Sequence, residues 1–451
     1  MTPSLRELIA AIAAVVCGAL AAFVATPILG INWSFSAELA DTEKWIAVQS
    51  NTVAIGGALA VPVCVLLASR GSRQLAWGAA AGFALIVGIA TLILPDGSGI
   101  DAQGTYYLRA LAAGGLIGAA VAASWGRRAL QLALVLGVVA TWLIVWMREA
   151  QAFHDVFDPA ARRAGDPWWW LVALAIVAAA AAAATAHSSY RAPHPGLAGV
   201  QVAIAGVISF VVVNRLLGAW LTNVADSPRP RLWTVTLSVV ALIFVLVFFI
   251  SRMTPGTDGR FVLTMTGITA AAMPVVCSAH GLLTREVDLW VGLFVGILAV
   301  AIGLRAAIVV PHPVAGLAVA GLVPLLGALW PEFGTGDAWI VLRLALLGLG
   351  AGHAIGSNFA SESPITALGL VIPFTALALS RAYTIPLVGA TEETGDYGLP
   401  KLYGDPELFN DNAVAIVMTV FVGCCAAAIL TYRPRPATPG HFRRISDSSA
   451  L

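Results

Sequence analysis

The chain has 451 residues, of which 59% are apolar and only 11% charged, with a mean hydropathy of +0.87. No soluble domain of that length has such a composition, so the sequence reads as a polytopic membrane protein. Its net charge of +1 gives no electrostatic reason to expect a nucleic-acid partner.

A bilayer crossing takes about 20 mostly apolar residues. Runs that meet this requirement lie at 8–29, 47–69, 75–94, 106–124, 129–147, 168–186, 197–217, 233–251, 261–279, 288–309, 313–330, 338–357, 363–384 and 413–432, which makes fourteen expected helices. The first follows Arg6 and is too long for the apolar core of a cleaved signal peptide, so it is taken as a membrane helix. The second ends in Ser69-Arg70-Gly71-Ser72-Arg73-Gln74, a basic connecting loop. The sixth opens on Trp168-Trp169-Trp170, an aromatic interface anchor. The seventh closes on Asn214-Arg215 and the tenth on Arg305. The ninth, with Thr264, Thr266, Thr269 and Pro274, and the short eleventh, broken by proline, show the weakest patterns. The thirteenth follows Ser361-Glu362-Ser363-Pro364, where Glu362 is expected to cap it or to pair with a nearby Arg, and it carries Arg381 and Tyr383 near its other end. The segment 385–412 is the longest loop, and 433–451 reads as a disordered tail. Cys17, Cys64, Cys277, Cys424 and Cys425 all fall in apolar runs, where small core residues are expected and disulfides are not.

An even number of crossings puts both termini on one side. With the termini cytoplasmic, that side gathers Arg6, Arg70, Arg73, Arg127, Arg128, Arg191, Arg252, Arg260 and the arginines of the tail, against Glu7, Asp258, Glu362 and Asp447. The opposite side holds the remaining acids. This is the positive-inside bias, and it agrees with fourteen crossings. Arginine far outnumbers lysine and alanine runs are long, as in the products of GC-rich bacterial genomes, so the plasma membrane of a bacterium is the expected location.

One pattern occurs twice. Leu108-Arg109 leads through Gly114 and Gly118 to Ala120, and Leu342-Arg343 leads through Gly348 and Gly352 to Ala354. An arginine inside a membrane helix is costly, so one at the same place in helices 4 and 12 points to a duplicated architecture. An offset of eight helices makes 1–190 one six-helix bundle and 259–432 its partner, with an inserted pair of helices at 191–258. The glycines, spaced four apart, are expected to let helices pack closely.

This arrangement resembles the fourteen-helix, drug:proton antiporter-like branch of the major facilitator superfamily. The helix-4 motif of that family is an Arg followed some residues on by Gly, as at Arg109 and Gly114, with an echo at Gly348, Gly350 and Gly352. Its cytoplasmic loop motif is matched in part by Arg70, Gly71 and Arg73, without the family's Asp; Arg305 alone survives of the counterpart loop. The antiporters' helix-5 Gly-Pro pair is missing, since helix 5 has only Gly137. No acidic residue lies mid-helix, where cation-exporting members carry one. The resemblance implies an all-α fold of two pseudo-symmetric bundles plus two inserted helices, and a conformational role for the loop residues Arg70, Gly71, Arg73 and Arg305.

Arg109, Arg343 and Arg381 are candidates for substrate binding or gating if they face a central cavity; the alternative is snorkelling to the outer interface. His353, ten residues after Arg343, is the candidate proton relay, against a packed core histidine. No phosphate-binding Gly-rich loop and no metal-ligand spacing is found, so no cofactor is expected. The leading reading is a secondary transporter, an exporter of an anionic or amphipathic small molecule or lipid working by alternating access. The alternatives are a membrane glycosyltransferase with a polyprenyl-phosphate donor, drawing on Glu38, Asp41 and Glu43, and a non-transporting subunit of a cell-envelope complex. The expected partners are membrane lipids, the substrate and, for the last reading, envelope-complex proteins.

Overall fold

A computed structural model describes residues 3–26, 39–93, 100–154, 167–186, 194–222, 229–282, 289–330, 337–384 and 411–433. The described residues form fourteen helices and no strand: α1 (Pro3–Ala25), α2 (Leu39–Arg70), α3 (Arg73–Ile93), α4 (Ile100–Ser124), α5 (Arg128–His154), α6 (Trp169–Thr185), α7 (Leu197–Thr222), α8 (Arg229–Met253), α9 (Gly259–Leu282), α10 (Leu289–Val309), α11 (Pro313–Leu329), α12 (Asp337–Ser357), α13 (Ser363–Thr384) and α14 (Asp411–Leu430). Eleven are long and apolar enough to cross a bilayer; the apolar stretches Trp169–Thr185, Pro313–Leu329 and Ser363–Ala378 are shorter. Helices α2, α4 and α5 run well beyond the apolar stretches expected from the sequence. Hydropathy marks the edge of the hydrocarbon, whereas backbone hydrogen bonding carries a helix into the interface. The expected longest loop lies outside the described residues except for 411–412, which begin α14; Glu38 and all of the expected tail but Arg433 also lie outside them.

The packing repeats with an offset of eight helices. In the first half α1 packs on α4, α5 and α6, α2 on α4, and α3 on α4 and α6. In the second half α9 packs on α12, α13 and α14, α10 on α12, and α11 on α12 and α14. The two bundles meet along α2·α13 and α5·α10, and the offset exchanges these two seams for one another. Helix α7 lies over the first seam, packed on both α2 and α13, while α8 leans on α9.

Glycines set the closest crossings. A Cβ at Gly114 would lie 1.7 Å from the Gly56 carbonyl oxygen on α2, and one at Gly348 would lie 2.9 Å from the Ala299 Cβ on α10. Both sites exclude any side chain, as close helix packing in a membrane requires.

The polar ninth helix is central. Its apolar stretch Gly259–Val276 is 89% buried, against 28% for Trp233–Met253 of α8. The Thr264, Thr266 and Thr269 hydroxyls donate to the carbonyls of Arg260, Val262 and Met265, at 2.8, 2.9 and 2.7 Å, so they cost little inside the protein. Of the cysteines described, Cys17, Cys64 and Cys425 are buried free thiols, but Cys424 is exposed.

Candidate functional site

Arg109 lies nine residues into α4, about 13 Å along the helix at 1.5 Å per residue. Arg343 is six residues into α12. Measured from the apolar stretches Gly104–Ser124 and Ala338–Ser357, both stand five residues in, about a turn and a half. They are 8% and 9% exposed. Each heads a stripe at i, i+4, i+7, i+11: Arg109, Ala113, Leu116 and Ala120 on α4, and Arg343, Leu347, Gly350 and Ala354 on α12, all buried. An arginine snorkelling to lipid headgroups would sit on an exposed stripe, so both face protein. The backbone of Arg381 closes α13, and its side chain lies outside what is described.

His353 is half-buried on α12, and its backbone N lies 2.8 Å from where a Cβ on Gly303 of α10 would stand. Of the loop residues, Arg70 and Arg305 are exposed. Gly71 turns the chain after α2 with φ +67°, a left-handed conformation that favours glycine. Arg73 is buried and donates to the Trp125 carbonyl at 2.6 Å, tying the α2–α3 turn to the α4–α5 turn inside one bundle.

The face bearing the start of α1 and the end of α14 holds most of the described polar network, and the sequence reading missed most of it. Asp258, between α8 and α9, is 1% exposed. Its carboxylate accepts from the Ser361 N–H (2.8 Å), the Ser361 hydroxyl (2.7 Å) and the Glu362 N–H (2.8 Å), so it fixes the turn that leads into α13 from a different loop. Glu362 stands at the N-cap of α13, its carbonyl accepting the Thr366 N–H at 3.1 Å, but its side chain goes elsewhere: Oε2 accepts from the Gly196 N–H at 2.9 Å, at the start of α7. Burial pushes both carboxyls above their ordinary values. The hydrogen bonds from Ser361 and Glu362 oppose this at Asp258. At Glu362 the Gly196 bond opposes it and the Asp258 charge adds to it.

Two further ties complete this face. Tyr432, past the end of α14, donates to the Ser251 carbonyl at 3.0 Å, and its ring lies under Arg252 and Arg260, 5.7 and 5.6 Å away. Arg128, at the start of α5, donates to the Gly356 carbonyl at the end of α12 and stacks 5.7 Å over Phe359. That bond crosses from one bundle to the other. At the opposite end the seam is crossed by Trp168, stacked on Trp290 at 6.3 Å, and by Met147, whose Sδ lies 2.4 Å from a Cβ placed on Gly292. Contacts between the bundles therefore occur at both ends. Among the described residues no group of His, Cys, Asp and Glu is placed to hold a metal ion.

Comparison with known proteins gave no matching family model and no matching curated protein. Among solved structures, an auto-inhibited POT-family peptide transporter superposes with a TM-score of 0.50 at 13% identity, covering 96% of this chain and 99% of that one. A proton:xylose symporter of the major facilitator superfamily, with bound 6-bromo-6-deoxy-D-glucose, gives 0.48 at 11% identity, covering 94% of each chain. At these identities the likeness concerns the fold alone. The first of these agrees with an all-helical, two-bundle membrane fold and says nothing of the drug:proton branch.

Proposed function

We propose that the protein is a secondary transporter, moving an anionic or amphipathic small molecule or lipid across a bacterial plasma membrane by alternating access. The bodies that move are residues 1–190 and 259–432, with 191–258 as the inserted pair and the termini cytoplasmic. Export is the favoured direction, from the likeness to the drug:proton antiporter-like branch.

One observation carries the reading. Two arginines, Arg109 and Arg343, are buried at corresponding places in corresponding helices of the two bundles. Placing a guanidinium there is expensive, and a stable packed helix has no need of it. Paired planar cations on opposite sides of a pseudo-two-fold axis suit an anionic group bound from both bundles, and the bidentate geometry of Arg favours carboxylate or phosphate. Within α12, His353 is assigned the proton relay, and Arg381 is a third cation near the same end of α13.

The test is transport by the purified protein in proteoliposomes, with native mass spectrometry first identifying the co-purified ligand. Saturable movement of that ligand, inhibited by other anionic amphiphiles and not by cationic drugs, is the expected outcome. Saturable movement of cationic drugs instead would overturn the charge assignment.

A further inference from the structure

Helix α7 poses a mechanical problem. It packs on α2 of one bundle and α13 of the other, and these must slide past each other if the bundles rock. Its first turn is held by one side chain of the second bundle. Glu362 reaches from the α12–α13 turn to the Gly196 N–H at 2.9 Å, where a carboxyl oxygen accepts the N–H at the start of the helix. The seat is fitted: a Cβ on Gly196 would lie 2.8 Å from Glu362 Oε1, and one on Gly199 would lie 3.3 Å from Glu362 Cγ and Cδ. Farther along, Asn214 Nδ2 donates to the Thr375 carbonyl of α13 at 3.3 Å.

The carboxylate that holds α7 has a second carboxylate beside it. Asp258 is buried one hydrogen bond away, on the Glu362 N–H itself, and its own bonds all go to Ser361 and Glu362. Among the described residues neither acid forms an ion pair. The charged or titratable groups on the elements meeting here are Arg252 and Arg260 with Tyr432, Arg128 at the end of α12, Arg70 at the end of α2, and His194 before α7.

We propose that Glu362 and Asp258 form a proton-operated clamp: protonation of Glu362 seats α7 on the α12–α13 turn, and ionisation lifts it away. The sign follows from linkage. Seated, Glu362 is partly desolvated and lies beside Asp258; together these outweigh the opposing pull of the Gly196 N–H, so its carboxyl is raised, and lifted into water it returns toward the ordinary value. The state that binds the proton more tightly is the one acid favours, so acid clamps and alkali releases. A protonated Glu362 still accepts the Gly196 N–H through its carbonyl oxygen. The consequence for transport, a seam free to slide only when α7 is released, rests on the function proposed above; the clamp itself does not.

The test is hydrogen–deuterium exchange on the full-length protein in nanodiscs, reading peptides that cover 196–204, with rates corrected for intrinsic pH dependence. Wild type is expected to exchange several-fold faster at pH 8 than at pH 5.5. Glu362→Gln, neutral and isosteric, is expected to stay slow at both pH values, while peptides from α4 remain unchanged. Asp258→Asn removes the neighbouring charge and is expected to shrink the wild-type difference, which keeps the idea testable should Glu362→Gln fail to fold. Wild-type exchange that does not respond to pH overturns the proposal. So does a Glu362→Gln protein that still responds, or one that is fast at both pH values. No transport assay enters, so this failure is distinct from failure of the transporter reading.

Discussion

Gly118 and Gly352 occupy the same position in two different helix crossings, atom for atom. A Cβ on Gly118 would stand 2.3 Å from the Ala60 carbonyl oxygen and 3.1 Å from the Cys64 nitrogen on α2. A Cβ on Gly352 would stand 2.3 Å from the Val300 carbonyl oxygen and 3.0 Å from the Leu304 nitrogen on α10. The repeat read in α4 and α12 therefore continues into the helices they cross.

Because backbone cannot yield as a side chain can, Gly118→Ala and Gly352→Ala are each expected to destabilise by about 1–3 kcal/mol through overpacking. Gly82→Ala, where nothing lies within 4 Å, is expected to stabilise slightly, by about 0.5–1 kcal/mol, from helix propensity. Thermal unfolding in detergent distinguishes the three. Equal Tm values for Gly82→Ala and Gly118→Ala would show that the crossing relaxes freely.

Arg109→Ala and Arg343→Ala are expected to abolish anion transport while the protein stays folded, because removing a guanidinium from a membrane helix also removes the cost of placing it there. Lys at either position is expected to restore part of the rate, retaining charge but losing the planar fork. Flux in proteoliposomes at matched reconstitution is the measurement. Full activity in both Ala variants would leave the arginines as packing elements only.

The duplicated helix pattern was legible in the sequence because arginine is rare inside apolar runs and the glycines that follow Arg109 and Arg343 repeat at the same spacing. The central position of α9 was not. Hydropathy reports exposure to lipid, and a helix surrounded by protein can carry Thr264, Thr266 and Thr269 at little cost once they bond to their own backbone. Its weak pattern was in fact the sign of burial. The tie from Asp258 to the turn before α13 was invisible for another reason. Asp258 and Ser361 lie 103 residues apart, and only packing of α9 on α13 brings their loops together. Glu362 was read against its own helix, the nearest in sequence, whereas its partner is the start of α7.

Asp258 sets a pH dependence of stability. Burial holds its carboxyl above the ordinary 3.8 in the fold, so the folded protein binds that proton more tightly than the unfolded chain. The cost is fully present above the raised value and is relieved as pH falls through it. Glu362, raised from 4.5, acts in the same direction. Wild type is thus expected to gain stability as pH falls through the raised value of each group. Asp258→Asn is expected to show a flatter Tm profile on the acid side of neutrality. A wild-type Tm that falls on acidification across that range would contradict the sign.

His353 is the titratable side chain inside α12, ten residues from Arg343. If it relays protons, an imposed pH gradient drives flux in wild-type proteoliposomes and has no effect on His353→Ala, while downhill exchange of substrate continues in both. A gradient without effect on wild type would assign His353 to packing against α10.

Arg128 is expected to hold the bundles together on the terminal face. Its guanidinium donates to the Gly356 carbonyl, so a cation meets the negative end of α12, and it stacks on Phe359, which in turn packs on Phe261 at 5.4 Å. Arg128 is exposed, so solvent holds the worth of this bond to about 0.5–1 kcal/mol, a few-fold in an open–closed equilibrium. Cys64 provides the readout: it is fully buried on α2, beside the α13 residue Ser363, under this face. With the other cysteines replaced by Ser, maleimide modification of Cys64 is expected to be fastest in Arg128→Ala, slower in Arg128→Lys, which can donate but cannot stack as a plane, and slowest in wild type. The same rate in all three would mean that the Arg128–Gly356 bond adds nothing to closure, and that the α2·α13 seam is sealed by its apolar packing alone.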